Sequence, residues 1–150
     1  MDRLDRHLLR LIQEDTRQSA ERLGSVVGLS AAAVQRRLKS LRDTGVIVAE
    51  TAVLDAEKLG LGFTAIVHVD LIDESAVASA NFCRRMNDRD EVQQCYGVTG
   101  DHDYVLVVVV PDLQGYDAFC EECLLHDANI RSFTTQVALK VAKRGLALKL

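Results

Sequence analysis

The sequence predicts an α+β fold in two parts, and three observations carry that reading. Apolar residues recur at three- and four-residue intervals through the first fifty positions, the spacing of amphipathic helices. Beyond residue 62 they alternate or gather in short runs between helical patterns, as strands mixed with helices do. The net charge also changes sign. Residues 1–50 hold 9 Lys+Arg against 7 Asp+Glu, a net of +2, whereas residues 51–150 hold 9 against 15, a net of −6. At 150 residues, 48% hydrophobic and 27% charged, the chain has a globular composition, which excludes wholesale disorder. Its longest apolar run, Tyr104 to Val110, is far shorter than the roughly 18 residues of a membrane span, so no membrane partner is expected. No signal-peptide pattern is visible in the charge-alternating start Met1-Asp2-Arg3-Leu4-Asp5, and cytoplasmic residence is expected.

In the first part, Leu4, Leu8, Leu11 and Ile12 mark one helix, capped by Asp2. Ser19 caps a short second helix, Ala20 to Val27, with Leu23 and Val27 turned inward. Gly28 then supplies the left-handed residue that ends it. Leu29 packs into the turn and Ser30 caps a third helix that runs to Gly45. Two helices joined by a three-residue Gly-Leu-Ser turn have helix-turn-helix spacing. On the third helix Val34, Leu38 and Leu41 share the inner side, while Ala32, Arg36, Lys39 and Ser40 point away. From Ser30 to Arg42 the segment carries Arg36, Arg37, Lys39 and Arg42 and no acidic residue, a phosphate-binding footprint. The N-terminal part of such a helix meets base edges, which makes Ala32, Gln35 and Arg36 the candidate base readers. Ser30, Arg37, Lys39 and Arg42 are left for the DNA backbone. Residues 1–50 are therefore expected to bind double-stranded DNA.

After a linker at 51–62, Phe63 to Leu71 alternates, with Phe63, Ala65, Val67, Val69 and Leu71 on one face and Thr64, His68 and Asp70 on the other. Ser75 to Arg89 reads as a helix whose apolar positions include Val77, Ala80 and Met86. Val92 to Thr99 and Tyr104 to Val110 read as strands around the turn Gly100-Asp101-His102-Asp103. Pro111-Asp112 opens a second helix reaching about Leu125, and Ile130 to Val141 is a last strand. The order β-α-β-β-α-β over residues 63–150 is the ferredoxin-like arrangement, which leaves one sheet face bare. Tyr104 to Val110 is nevertheless apolar on both faces, as in a strand covered twice, so a second copy of the chain is expected to cover it as a homodimer.

Cys120-Glu-Glu-Cys123 has metal-ligand spacing but lies in an amphipathic helix, without a second pair or a histidine at ligand spacing. All four cysteines (Cys83, Cys95, Cys120 and Cys123) read as structural, and no metal or cofactor is expected. Nor do Asp101 and His102 make a ligand pair, since they point differently in a tight turn.

Three blocks together resemble the Lrp/AsnC (leucine-responsive, feast/famine) family of transcriptional regulators. They are Leu4-Asp5-Arg6 with Val27-Gly28-Leu29-Ser30; Leu38-Lys39-Ser40-Leu41-Arg42-Asp43-Thr44-Gly45-Val46-Ile47; and Val98-Thr99-Gly100-Asp101-His102-Asp103-Tyr104 continuing to Pro111-Asp112. The resemblance implies a winged helix-turn-helix followed by a ferredoxin-like domain that binds a small amino-acid effector, with dimers gathering into octamers. It makes Gly100, Asp101, His102, Asp103 and Tyr104 the effector loop. Backbone N–H groups around Gly100 would meet the ligand's α-carboxylate and Asp103 its α-ammonium. Leu113, Gln136, Val137 and Ala138 would line the side-chain end of the pocket, across a subunit interface. The chain is expected to regulate transcription and not to be an enzyme. The alternative is a siroheme-decarboxylase-like enzyme on the same scaffold, which would need basic and histidine residues around a tetrapyrrole in place of this acidic loop.

Overall fold

A computed structural model describes residues 1–150, and the chain divides into two compact units. One comprises Met1–Val53 together with Lys143–Leu150, the other Leu54–Ala142.

The first unit is three helices: α1 (Arg3–Glu14), α2 (Ala20–Val27) and α3 (Ala31–Asp43). Each begins at the cap its sequence offers. Asp2 and Asp5 form a reciprocal capping box on α1, Ser19 accepts from the Arg22 amide, and Ser30 accepts from the Ala33 amide. Gly28 ends α2 with φ +74°, a conformation that costs an L side chain energy and glycine nothing. Leu8, Leu9, Ile12, Leu23, Val34, Leu38 and Leu41 form the core, and Val27 and Leu11 pack at its edge. No strand forms between Thr44 and Gly62, so the wing that the resemblance implies is not built as a hairpin within one chain.

Gly24 explains how tightly the turn closes. A Cβ there would lie 2.4 Å from the Leu29 carbonyl oxygen, which is backbone and cannot swing aside. The same closeness allows the Leu29 amide to donate to the Gly24 carbonyl at 2.9 Å. Gly24→Ala is therefore expected to cost about 1–3 kcal/mol of unfolding free energy, the range for overpacking a filled interior. Denaturant titration followed by helical circular dichroism measures it, and an unchanged midpoint would contradict the clash.

Residues 143–150, expected to close the second domain, belong instead to the first unit. The Gln13 carboxamide grips the backbone of Leu148 from both ends: Oε1 accepts from the Leu148 amide at 2.6 Å and Nε2 donates to its carbonyl at 3.2 Å. Leu150 packs against the three-helix core. This docking is not legible in the sequence because the tail is a short apolar alternation with no periodic signal for its partner.

The second unit contains β1 (Phe63–Leu71), α4 (Ala76–Asn87), β2 (Val92–Gly97), β3 (Tyr104–Val110), α5 (Leu113–Cys120, extended by a π turn over Glu121–Leu125) and β4 (Ile130–Val137). The antiparallel sheet runs β2-β3-β1-β4, the ferredoxin-like order. Ala65, Val67, Val69 and Leu71 of β1 and Tyr104, Leu106, Val108 and Val110 of β3 pack under Phe82 and Met86 of α4 and Phe119 and Leu124 of α5. Val77 and Ala80 are exposed, and Phe82 with Met86 does the packing, because the helix meets the sheet by its C-terminal half. The strands end early, β2 at Gly97 and β4 at Val137, where ladder partners run out.

The opposite sheet face carries no helix. Register places Ile66, His68 and Asp70 of β1, Val105 and Val107 of β3, Gln94 and Tyr96 of β2, and Ser132, Thr134 and Gln136 of β4 on it. Ile66, Val105 and Val107 are half-buried at its centre.

Candidate functional site

On α3 the outward residues are Ala32, Gln35, Arg36, Lys39 and Ser40, all exposed, as the helical angle predicts. The four cations differ in what holds them. Arg37 is clamped by Asp2 at 2.7 Å and Asp5 at 2.8 Å, the two carboxylates of the α1 capping box. Each of those carboxylates uses one oxygen on the box and the other on Arg37. The Asp5 amide and the guanidinium together hold the Asp2 carboxyl below the usual range, and the two carboxylates push the guanidinium up. Arg37 thus ties α1 to α3, a role that sequence spacing alone left open because its partners lie more than thirty residues away. Lys39 pairs with Asp43 one turn on at 2.6 Å, and Arg42 with Glu50 at 2.7 Å, both in solvent. Arg36 has no carboxylate partner. Of the four it alone is free in the unbound protein to meet an anion or a base edge. Ser30 is exposed and its oxygen is engaged at the helix cap.

The second site is the turn between β2 and β3. Gly100 has φ +121°, a conformation in which a side chain is rarely found. Asp101 is exposed, Asp103 and His102 are half-buried, and Tyr104 is buried under Phe82. The turn is stitched to its neighbours by backbone and side chain. The Val98 amide donates to the Asp103 carbonyl at 2.9 Å and the Asp103 amide to the Val69 carbonyl at 3.2 Å. Asp103 Oδ2 accepts from the Leu71 amide at 2.7 Å, which leaves Oδ1 without a partner. Asp103 therefore has a structural job at the end of β1 besides any part in binding.

His102 turns onto the open sheet face. Its Nδ1 lies 3.0 Å from Asp70 Oδ1, and Asp70 Oδ2 accepts from Ser132 Oγ at 2.8 Å. The ring stacks on His68 with centroids 4.8 Å apart and planes 7° from parallel. Ser132 and then His102 hold the Asp70 carboxyl below its ordinary range. An ionised Asp70 can only accept, so the proton on this contact sits on His102 Nδ1. Sequence reasoning placed His68 and Asp70 on one strand face but not beside the loop. Strand alternation reports a face, not which distant turn folds over it.

Within one copy the other expected effector residues stand apart from this turn. Asp103 is level with Val69 and Leu71, whereas Gln136, Val137 and Ala138 lie beside Ile66, Ala65 and Thr64. At 3.3 Å per residue the two groups are roughly 15 Å apart along β1. Gln136 also faces the open side and Val137 the helix side, and Leu113 is exposed at the start of α5.

Cys95, Cys120 and Cys123 pack in the second unit's core, whereas Cys83, expected with them, is exposed. All are free, and burial pushes the Cys95 thiol up to about 11 and raises those of Cys120 and Cys123.

Two family models match the chain, one on either side of the linker. Residues 1–42 match the AsnC-type helix-turn-helix domain and residues 64–148 the Lrp/AsnC ligand binding domain. The chain belongs to the Lrp/AsnC family. It is a DNA-binding transcriptional regulator, with the fold and the resemblance its sequence predicts. Similar proteins include the leucine-responsive regulatory protein of Escherichia coli, 31% identical over 97% of this chain and 88% of its own length. An AsnC family transcriptional regulator from Agrobacterium tumefaciens superposes with a TM-score of 0.92 at 34% identity, covering 99% of this chain and 97% of that one. A transcriptional regulator from Neisseria meningitidis, solved in complex with L-methionine, gives a TM-score of 0.90 at 28% identity, covering 99% and 96%. No helix of this Lrp/AsnC member is long and apolar enough to cross a membrane.

Proposed function

We propose that this regulator reads its operator through α3, assembles through the open sheet face, and alters DNA binding or assembly when a small amino acid enters the Gly100–Tyr104 turn. It acts without catalysis or a cofactor. The observation that carries the effector reading is the pairing of the backbone at Gly100 with the half-buried carboxylate of Asp103, whose Oδ1 is unpartnered. A zwitterionic amino acid offers the matching charges: a carboxylate for the turn's N–H groups and an ammonium for Asp103. The relatives support that ligand class, one being leucine-responsive by name and another solved with L-methionine. Gln136, Val137, Ala138 and Leu113 lie too far along the sheet for one amino acid to reach in the same copy. They line the ligand's side chain from a neighbouring copy, so the pocket exists only in the oligomer. A dimer through the open face and its closure into octamers are parts of the same proposal.

Asp103→Ala is expected to weaken amino-acid affinity roughly ten- to a hundredfold, the worth of one charge-assisted contact. Operator affinity without amino acid stays unchanged. Calorimetric titration beside operator binding measures both, and unaltered amino-acid affinity would defeat the assignment. Because Asp103 also holds the Leu71 amide, Asp103→Asn is the companion variant. It keeps that acceptor and loses the charge, so it separates binding from loop support.

A further inference from the structure

We propose that Asp70 is the positioning residue of the effector turn. It acts through His102 and Ser132, with His68 as the surface against which the His102 ring is set. The inference rests on the effector reading above and adds Asp70, Ser132 and His68, which lie outside the expected effector residues. Three elements meet at one carboxylate: Asp70 is on β1, accepts from Ser132 Oγ on β4 at 2.8 Å, and holds His102 of the turn at 3.0 Å. His68, two residues before Asp70 on the same face, lies parallel to the His102 ring at 4.8 Å and stops it rotating about its bond to Asp70. A glycine at φ +121° makes the turn's backbone permissive, so side chains must supply the rigidity that a preorganised ligand cradle needs. Asp103 pins the far end of the turn to Leu71, and Asp70 pins its middle. The two contacts with Asp70 are side chain to side chain on the helix-free sheet face, outside the core beneath α4 and α5. Removing them loosens the turn without unfolding the unit.

The test uses the full chain as wild type and as Asp70→Ala, His102→Ala, His102→Asn, His68→Ala and His68→Phe. Two readouts are taken: hydrogen exchange at the Val98 and Asp103 amides, and calorimetric titration with each of the twenty amino acids. Asp70→Ala and His102→Ala should speed exchange at those two amides about tenfold, the loss of one charge-assisted hydrogen bond, with Val67 and Leu106 unaffected. The bound amino acid should lose affinity by a similar factor, measured on samples that sedimentation velocity shows to keep the wild-type assembly. His102→Asn restores an N–H where Nδ1 stood and should recover most of both, and His68→Phe, which keeps a flat ring, should do better than His68→Ala. Unchanged exchange in Asp70→Ala and His102→Ala would overturn the proposal, as would equal losses in His102→Asn and His102→Ala. Faster exchange in a protein whose wild type binds none of the twenty would uphold the positioning of the turn and overturn the effector reading instead.

Discussion

Val107→Asp is expected to convert the proposed dimer into folded monomers. In the single chain Val107 is half-buried at the centre of the helix-free sheet face, so a carboxylate there can keep water and the fold survives. In a dimer through that face the same carboxylate must be dehydrated or protonated. Protonating a carboxyl of ordinary pKa, about 3.9, at pH 7 costs about 4 kcal/mol at 1.36 kcal/mol per unit. That amounts to roughly a thousandfold in dimer affinity from each protomer. The sign with pH follows. The penalty is full well above the carboxyl pKa and shrinks as pH falls towards it, so mildly acidic buffer should restore some dimer. Sedimentation velocity at micromolar concentration reads the outcome, with circular dichroism to show that the fold persists. A variant that stays dimeric would move the interface elsewhere. Val108→Asp is the contrasting control: Val108 is fully buried under α4 and α5, so its substitution should unfold the unit.

The second large effect falls on α3. Arg36→Ala is expected to weaken the preferred operator by about 1–3 kcal/mol and to relax preference at one base pair, as loss of a base-edge contact does. Lys39→Ala should weaken all sequences alike and reduce the slope of log affinity against log salt by about one unit or less, because Lys39 must first leave Asp43. Titrating specific and random duplexes at several salt concentrations separates the two. Equal losses on both duplexes from Arg36→Ala would remove it from the base readers. Arg37→Ala should instead loosen the junction of α1 and α3, since its guanidinium is committed to Asp2 and Asp5.

Which features were legible follows from how far apart their causes lie in the chain. Helix starts are local, and Asp2, Ser19 and Ser30 cap the helices that their positions announce. The sheet face is also local, because alternation along Phe63–Leu71 assigns each residue to a side. Contacts between distant segments were not legible: Gln13 with Leu148, Arg37 with Asp2 and Asp5, and Asp70 with His102. Each joins polar side chains whose local surroundings resemble any solvated surface. Gly24 was missed for a related reason. A glycine inside a helix weakens the local pattern, and only the approach of the Leu29 carbonyl shows why it is there. The candidate loop was found through its motif, while its support was found only through geometry.

The docking of Lys143–Leu150 against α1 also has a bearing on time. A ribosome adds about 5–20 residues per second, and about a hundred residues separate the end of α3 from the start of that segment. The three helices therefore emerge on the order of 5–20 s before the stretch that occupies Gln13 and completes their core with Leu150. During that interval the whole of the second unit is synthesised, its last strand included. A nascent chain therefore carries its three helices without their C-terminal contact until the second unit has been made.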